Sequence, residues 1–136
     1  MTSISEAVRQ QVRRRAANLC EYCREPEDIS LFGFHLDHIL ALQHGGSDDI
    51  ENLAWACPTC NIVKGPNIAS YDLETGKLLP LYNPRKDRWA DHFETTDDQI
   101  TGKTPVGRVT VKLLEFNNPE KVEARRNLIQ AGQWKP

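Results

Sequence analysis

The sequence predicts an α+β fold: a strand–loop–strand–helix core held by a four-cysteine metal site. Three observations carry this. All four cysteines fall in two C-x-x-C pairs, Cys20/Cys23 and Cys57/Cys60. Strand-like apolar runs and a helix start at Pro58 lie between and after the pairs. Apolar residues at helical spacing flank this core on both sides. At 136 residues and 39% hydrophobic content, the chain fits one compact domain over 1–136, with a core at 20–65 and an extension at 66–136. A modest core of this kind gains from a staple.

The elements follow in order. Residues 4–17 are expected as a helix. Ser3 and Glu6 make a capping-box pattern, and Val8, Val12, Ala16 and Leu19 recur on one face. Cys20-Glu21-Tyr22-Cys23 makes a tight turn. Leu31–Leu40 is apolar and predicts a strand. The run Gln43–Asp49 is a polar loop, and Leu53–Ala56 a returning strand. Pro58 opens a helix to Lys64, stopped by Gly65-Pro66. In the extension, Asp72–Lys77 is a turn between short strands, and Trp89, His92 and Phe93 pack it. Thr95–Lys103 is expected as a polar connection. Thr104-Pro105 and Asn118-Pro119 each open a helix. The second turns Val122, Leu128 and Ile129 inward and ends at Gly132.

Composition bounds the function. No apolar run is long enough to span a bilayer. The arginine-bearing N-terminus lacks the apolar stretch of a secretory signal, so a cytoplasmic protein is expected. Net charge is −2, without the basic excess common in nucleic-acid binders. The charge is uneven, however. Met1–Arg24 carries five arginines against Glu6 and Glu21, whereas Glu27–Glu51 carries six acids and no Lys or Arg. That suits a basic helix beside a carboxylate-bearing metal site, and equally an ordinary solvated surface.

Two C-x-x-C pairs with no cysteine left over suit tetrahedral Zn²⁺, because a two-residue spacer lets one turn bring two thiolates to one ion. Paired disulfides are disfavoured without a secretion signal, and a redox pair does not explain two copies. The gap between the pairs is longer than in a simple zinc ribbon, and it contains the chemistry. Hydrolysing a phosphodiester needs a base, a cation and something to hold the base. His38 can accept a proton as a neutral imidazole. Asp37 offers a hard oxygen to a divalent ion, and Asn61 offers an amide oxygen to the same ion. Asn52 can bond back across the loop to fix His38. Lys64, one turn after Asn61, can meet a phosphate.

The run Asp37-His38-Ile39, then Gly45-Gly46, Asn52-Leu53, Cys57-x-x-Cys60-Asn61 and Lys64-Gly65, resembles the HNH endonuclease motif. The resemblance covers Cys20 to Gly65. It implies a ββα-metal (His-Me finger) fold and a DNA-hydrolysing metalloenzyme. In that pattern Asp37 and Asn61 hold one catalytic Mg²⁺ or Mn²⁺, His38 is the general base and Asn52 orients it. The family's usual last histidine is Asn61 here, as in the HNH domains of RNA-guided nucleases. The whole chain also resembles small stand-alone bacterial HNH proteins, with its Asn83-Pro84-Arg85 and Thr104-Pro105-Val106-Gly107-Arg108 stretches.

Other residues keep two readings. His35 shares strand parity with Asp37, so it either faces the metal or phosphate or is a strand histidine with a satisfied ring. Arg13 and Arg14 either contact DNA phosphates or form a solvated helix face. Trp55 is expected in the core. The competing function is a non-catalytic zinc module that binds nucleic acid or protein. The Asp37-His38 pair with Asn52 and Asn61 separates the two, because a binding module needs no metal-and-base constellation.

Overall fold

The first helix, α1, spans Glu6–Arg15 in the computed structural model, which describes residues 4–136. Ser5 caps it, its hydroxyl accepting from the Val8 amide at 3.2 Å. The Ser3 of the expected capping box lies outside the described residues. Of the predicted apolar stripe, Val12 and Ala16 are buried and Val8 and Leu19 half-buried. Ala17 and Asn18 turn left-handed and end the helix.

The chain divides into two compact units, Met1–Pro66 and Asn67–Pro136. In the first, β1 (His35–His38) pairs antiparallel with β2 (Leu53–Ala56), in a register that sets His35 opposite Ala56 and His38 opposite Leu53. Helix α2 (Pro58–Lys64) follows, with Pro58 in its first turn and Cys57 as its cap. The expected strand over Leu31–Leu40 shortens to four residues. A strand is held only as far as its partner runs, and β2 gives way to Cys57 and the turn into α2. Leu31 and Phe32 are therefore exposed, in a turn pinned by the Ser30 hydroxyl, which donates to the Phe32 carbonyl at 2.7 Å.

The core of this unit gathers Val12, Tyr22, Phe34, Leu53 and Trp55. Phe34 and Trp55 have ring centroids 6.2 Å apart. Arg9 lies 4.8 Å over the Trp55 ring and donates to the Phe34 carbonyl. The Trp55 indole donates to Glu27, which also takes the Arg13 guanidinium at 3.0 Å. Trp55 is thus a core residue whose polar edge is satisfied, as a buried indole requires.

The second unit begins with β3 (Ala69–Tyr71) and β4 (Leu78–Pro80), an antiparallel pair. Asp72 organises the turn between them. Its carboxylate accepts from the Thr75 amide and hydroxyl and from Arg108. Next come α3 (Trp89–His92), β5 (Phe93–Thr96), β6 (Gln99–Gly102), α4 (Pro105–Leu113) and α5 (Pro119–Gln130). Tyr82, Trp89 and Phe116 ring Phe93, with centroids 5.1–5.4 Å from it.

Two expectations are corrected here. Thr95–Lys103 is not a plain connection, because β5 and β6 form an antiparallel hairpin turning at Asp97, with Phe93 opposite Gly102. Only Phe93 and Ile100 supply its buried face, so the alternation is too sparse to stand out. Ile129 is not inward but 38% exposed. Lys121, Val122, Arg125 and Leu128 take the buried face of α5, and Arg125 donates to the carbonyls of Phe116 and Asp98, both at 2.7 Å. Gly107 is required by close packing within this unit: a Cβ there would lie 2.2 Å from the His92 carbonyl oxygen.

Candidate metal centre and active site

The four cysteines converge. Cys20, Cys23, Cys57 and Cys60 are all buried, and their sulfurs lie within 4.8 Å of one another. Cys23 and Cys57 are 3.7 Å apart. Tetrahedral thiolates at a Zn–S distance of about 2.3 Å would sit about 3.8 Å apart, so this donor set fits zinc. Two backbone turns build it: the Cys23 amide points at the Cys20 sulfur, and the Cys60 amide at the Cys57 sulfur. Burial pushes the Cys20 and Cys60 thiols well up, while a hydrogen bond with Cys20 brings Cys57 down. Such a cluster becomes fully thiolate only around a cation. The first turn is also bonded to β2. Glu21 donates from its amide to the Trp55 carbonyl at 2.8 Å, and its carboxylate accepts from the Trp55 amide at 2.7 Å.

The end of β1 is built from buried charge. The Asp37 carboxylate accepts from the Tyr22 hydroxyl at 2.6 Å and sits 3.1 Å from the Lys64 ammonium. Lys64 is only 1% exposed and also donates to the His38 and Ile39 carbonyls. It thus ties the last residue of α2 to the end of β1 and the residue after it. Burial raises the Asp37 carboxyl above the ordinary carboxylate range, with Lys64 and Tyr22 pulling it back down. A carboxylate offers about four acceptor sites, so these two donors leave room for a cation.

Asp37, His38 and Asn61 line one cavity of about 370 Å³, with Leu42, Gln43 and Gly65 among its other walls. The loop between β1 and β2 is held by Asn52. Its amide accepts from the Leu40 N–H at 2.9 Å and donates to the Leu40 and Ser47 carbonyls at 2.9 and 2.8 Å. Its own carbonyl accepts from the Ile39 N–H. Gly46 lies so close beneath that a Cβ would fall 1.8 Å from the Leu40 carbonyl oxygen. The His38 ring meets Asp48 across this loop, Nε2 to Oδ1 at 2.8 Å.

Residues 20–67 match the family model for HNH endonuclease. The match covers about a third of the chain. Neither a curated protein nor a solved structure matches the chain. The matched span runs from the first cysteine ligand to just past the end of the first unit. The mixed α and β architecture and the four-cysteine cluster are those expected of the domain. HNH domains are of nuclease type and act on nucleic acids. No helix among the described residues is long and apolar enough to cross a membrane.

Five residues singled out from the sequence are placed as follows. Lys64 does not reach out to a phosphate, because its ammonium is buried against Asp37 and two carbonyls. Arg13 is committed to Glu27, whereas Arg14 stays exposed. His35 is exposed at the start of β1 and does not line the cavity with Asp37. Asn52 bonds to backbone on either side of the loop, not to the His38 ring itself. Sequence reasoning missed Tyr22 and Asp48. Tyr22 lies inside the first C-x-x-C, where it reads as spacer. Asp48 is one of two adjacent loop aspartates, and only the fold tells them apart.

Proposed function

We propose that this HNH domain is a metal-dependent endonuclease that hydrolyses DNA phosphodiester bonds. The observation behind the reading is the single cavity shared by a base, a carboxylate and an amide: His38, Asp37 and Asn61. His38 takes the proton from the attacking water. Asp37 and Asn61 would hold one divalent ion, Mg²⁺ or Mn²⁺, which supplies positive charge to the phosphate and the leaving oxygen. One anionic and one neutral oxygen donor suit a hard ion that keeps several waters. Tyr22 and Lys64 hold Asp37 in place, and Asn52 holds the loop that follows His38. Cys20, Cys23, Cys57 and Cys60 would hold a structural Zn²⁺. Arg14 offers a surface charge to the DNA backbone, an attraction that weakens with salt.

The test is cleavage of supercoiled plasmid with and without added Mg²⁺ or Mn²⁺. Wild type is expected to nick only with metal, and His38→Ala to lose roughly 10²–10⁴-fold in rate while retaining its cysteine-bound metal. No metal-dependent cleavage by wild type would leave the domain a non-catalytic zinc module. Equal cleavage by His38→Ala would remove His38 as the base.

A further inference from the structure

A neutral imidazole is a poor base if its ring rotates freely or protonates on the wrong nitrogen, and His38 sits at a strand end with its side chain 24% exposed. Asn52 grips backbone and does not touch the ring. Asp48 does touch it, at 2.8 Å from Nε2. We propose that Asp48 is the positioning residue for His38, holding the proton on Nε2 so that Nδ1 is the nitrogen that accepts from water. This rests on the nuclease reading above.

The chemistry is one-directional. An ionised carboxylate only accepts, so the nitrogen facing it must carry the hydrogen. The other ring nitrogen then keeps its lone pair. Asp48 is itself held on both sides. The Ser47 carbonyl accepts from Asn52, and the Ser47 hydroxyl accepts from the Asp49 amide at 3.2 Å. Asp49 then caps the next turn, accepting from the Glu51 amide at 3.1 Å. The loop therefore delivers one aspartate to the ring and spends its neighbour on backbone. That division of labour supplies a control, because Asp49→Ala disturbs the same loop without touching His38.

The experiment compares zinc-loaded wild type, Asp48→Ala and Asp49→Ala by ¹⁵N-edited NMR of the His38 ring and by plasmid cleavage in Mg²⁺. Wild type and Asp49→Ala are expected to show an Nε2-bound proton sheltered from solvent exchange, and Asp48→Ala to lose that shelter. In Asp48→Ala, kcat is expected to fall by roughly 10–100-fold, the usual cost of losing a partner that orients a site histidine. DNA affinity measured without divalent ion should not weaken, since a negative charge has been removed. Three results would overturn the proposal: a wild-type ring protonated on Nδ1, an unchanged Nε2 proton in Asp48→Ala, or an equal loss of cleavage in Asp49→Ala. Wild type that does not cleave in Mg²⁺ would overturn the nuclease reading, and this role with it, even if the Nε2 proton were sheltered.

Discussion

At the residue scale, Asn61 stands where the HNH resemblance expects the last histidine, and it lines the cavity beside Asp37. An amide oxygen binds a hard cation weakly, whereas an imidazole would favour softer transition ions. Asn61→Ala is expected to lose most cleavage at limiting Mg²⁺ and to regain part of it at high Mg²⁺. Asn61→His should keep some cleavage and shift preference towards Ni²⁺, Zn²⁺ or Mn²⁺. Metal titrations of cleavage rate check both, and Asn61→Ala matching wild type at limiting Mg²⁺ would rule it out as a ligand. That Asp37, His38 and Asn61 would come together was legible from their spacing, and they line one cavity; the roles given to them are those proposed above. The burial of Lys64 was not legible, because spacing gives its helix face and says nothing of depth. A side chain one turn past Asn61 reads as a surface cation until β1 is seen packed over it.

At the scale of elements, the HNH hairpin depends on two short strands of four residues each. Isolated two-stranded hairpins are marginal in water. The cysteine cluster supplies what the strands lack, joining the turn before β1 to the start of α2. Structural zinc contributes on the order of 10 kcal/mol in small zinc domains, comparable with a whole domain's stability of about 5–15 kcal/mol. Cys57→Ser is therefore expected to unfold the first unit, not merely to slow cleavage. Chelation of the wild type should do the same, read as loss of amide dispersion for residues 4–66 by NMR. Elemental analysis of protein purified without chelator should give one zinc per chain.

The loop between β1 and β2 carries a second element-scale prediction. Gly46→Ala places a methyl group against the Leu40 carbonyl that Asn52 also binds. A backbone clash cannot be relieved by a rotamer, so the loop must shift. A cost of about 1–3 kcal/mol is expected, with cleavage falling further than stability alone explains, because His38 and Asp48 both hang on that loop. Denaturant midpoints and cleavage rates on the same sample test this. The glycine pair was visible in the sequence as a motif. Its reason, a carbonyl lying directly over the second glycine, was not. The β5–β6 hairpin was missed for a related reason: its alternation is carried by Phe93 and Ile100 among polar residues, so its burial is visible only in the fold.

Across the whole molecule, one acid response belongs to the second unit. In the second unit, Arg108 and Thr75 hold the Asp72 carboxyl down at about 2, below the ordinary value of about 3.9. A depressed carboxylate stabilises the fold above the unfolded-state value and loses that contribution as pH falls towards the folded one. The second unit should therefore weaken between about pH 4 and pH 2. Asp72→Asn should be less stable than wild type at pH 7, and its stability should change less over that acid range. Urea midpoints followed by NMR signals from residues 67–136 would show it, and an equally steep acid response in the variant would count against the assignment. The α+β class could be read from the sequence across both units, and the order of elements in the first; in the second, the β5–β6 hairpin could not. The sequence sets a core at 20–65 against an extension at 66–136, close to the division after Pro66, but predicts both as one domain, because Gly65-Pro66 ends a helix whether or not a new core begins beyond it.

Each of the three sheets among the described residues contains just two strands, so every strand leaves one side of its backbone unpaired. Open edges of this kind invite another chain to add a strand. What protects this protein is brevity. Its strands are three or four residues long, shorter than the six or seven residues that make a stacking segment of a fibril. A chain assembled from such short ribbons gives up the cooperative strength of a broad sheet, and in return its described residues present no edge as long as such a segment.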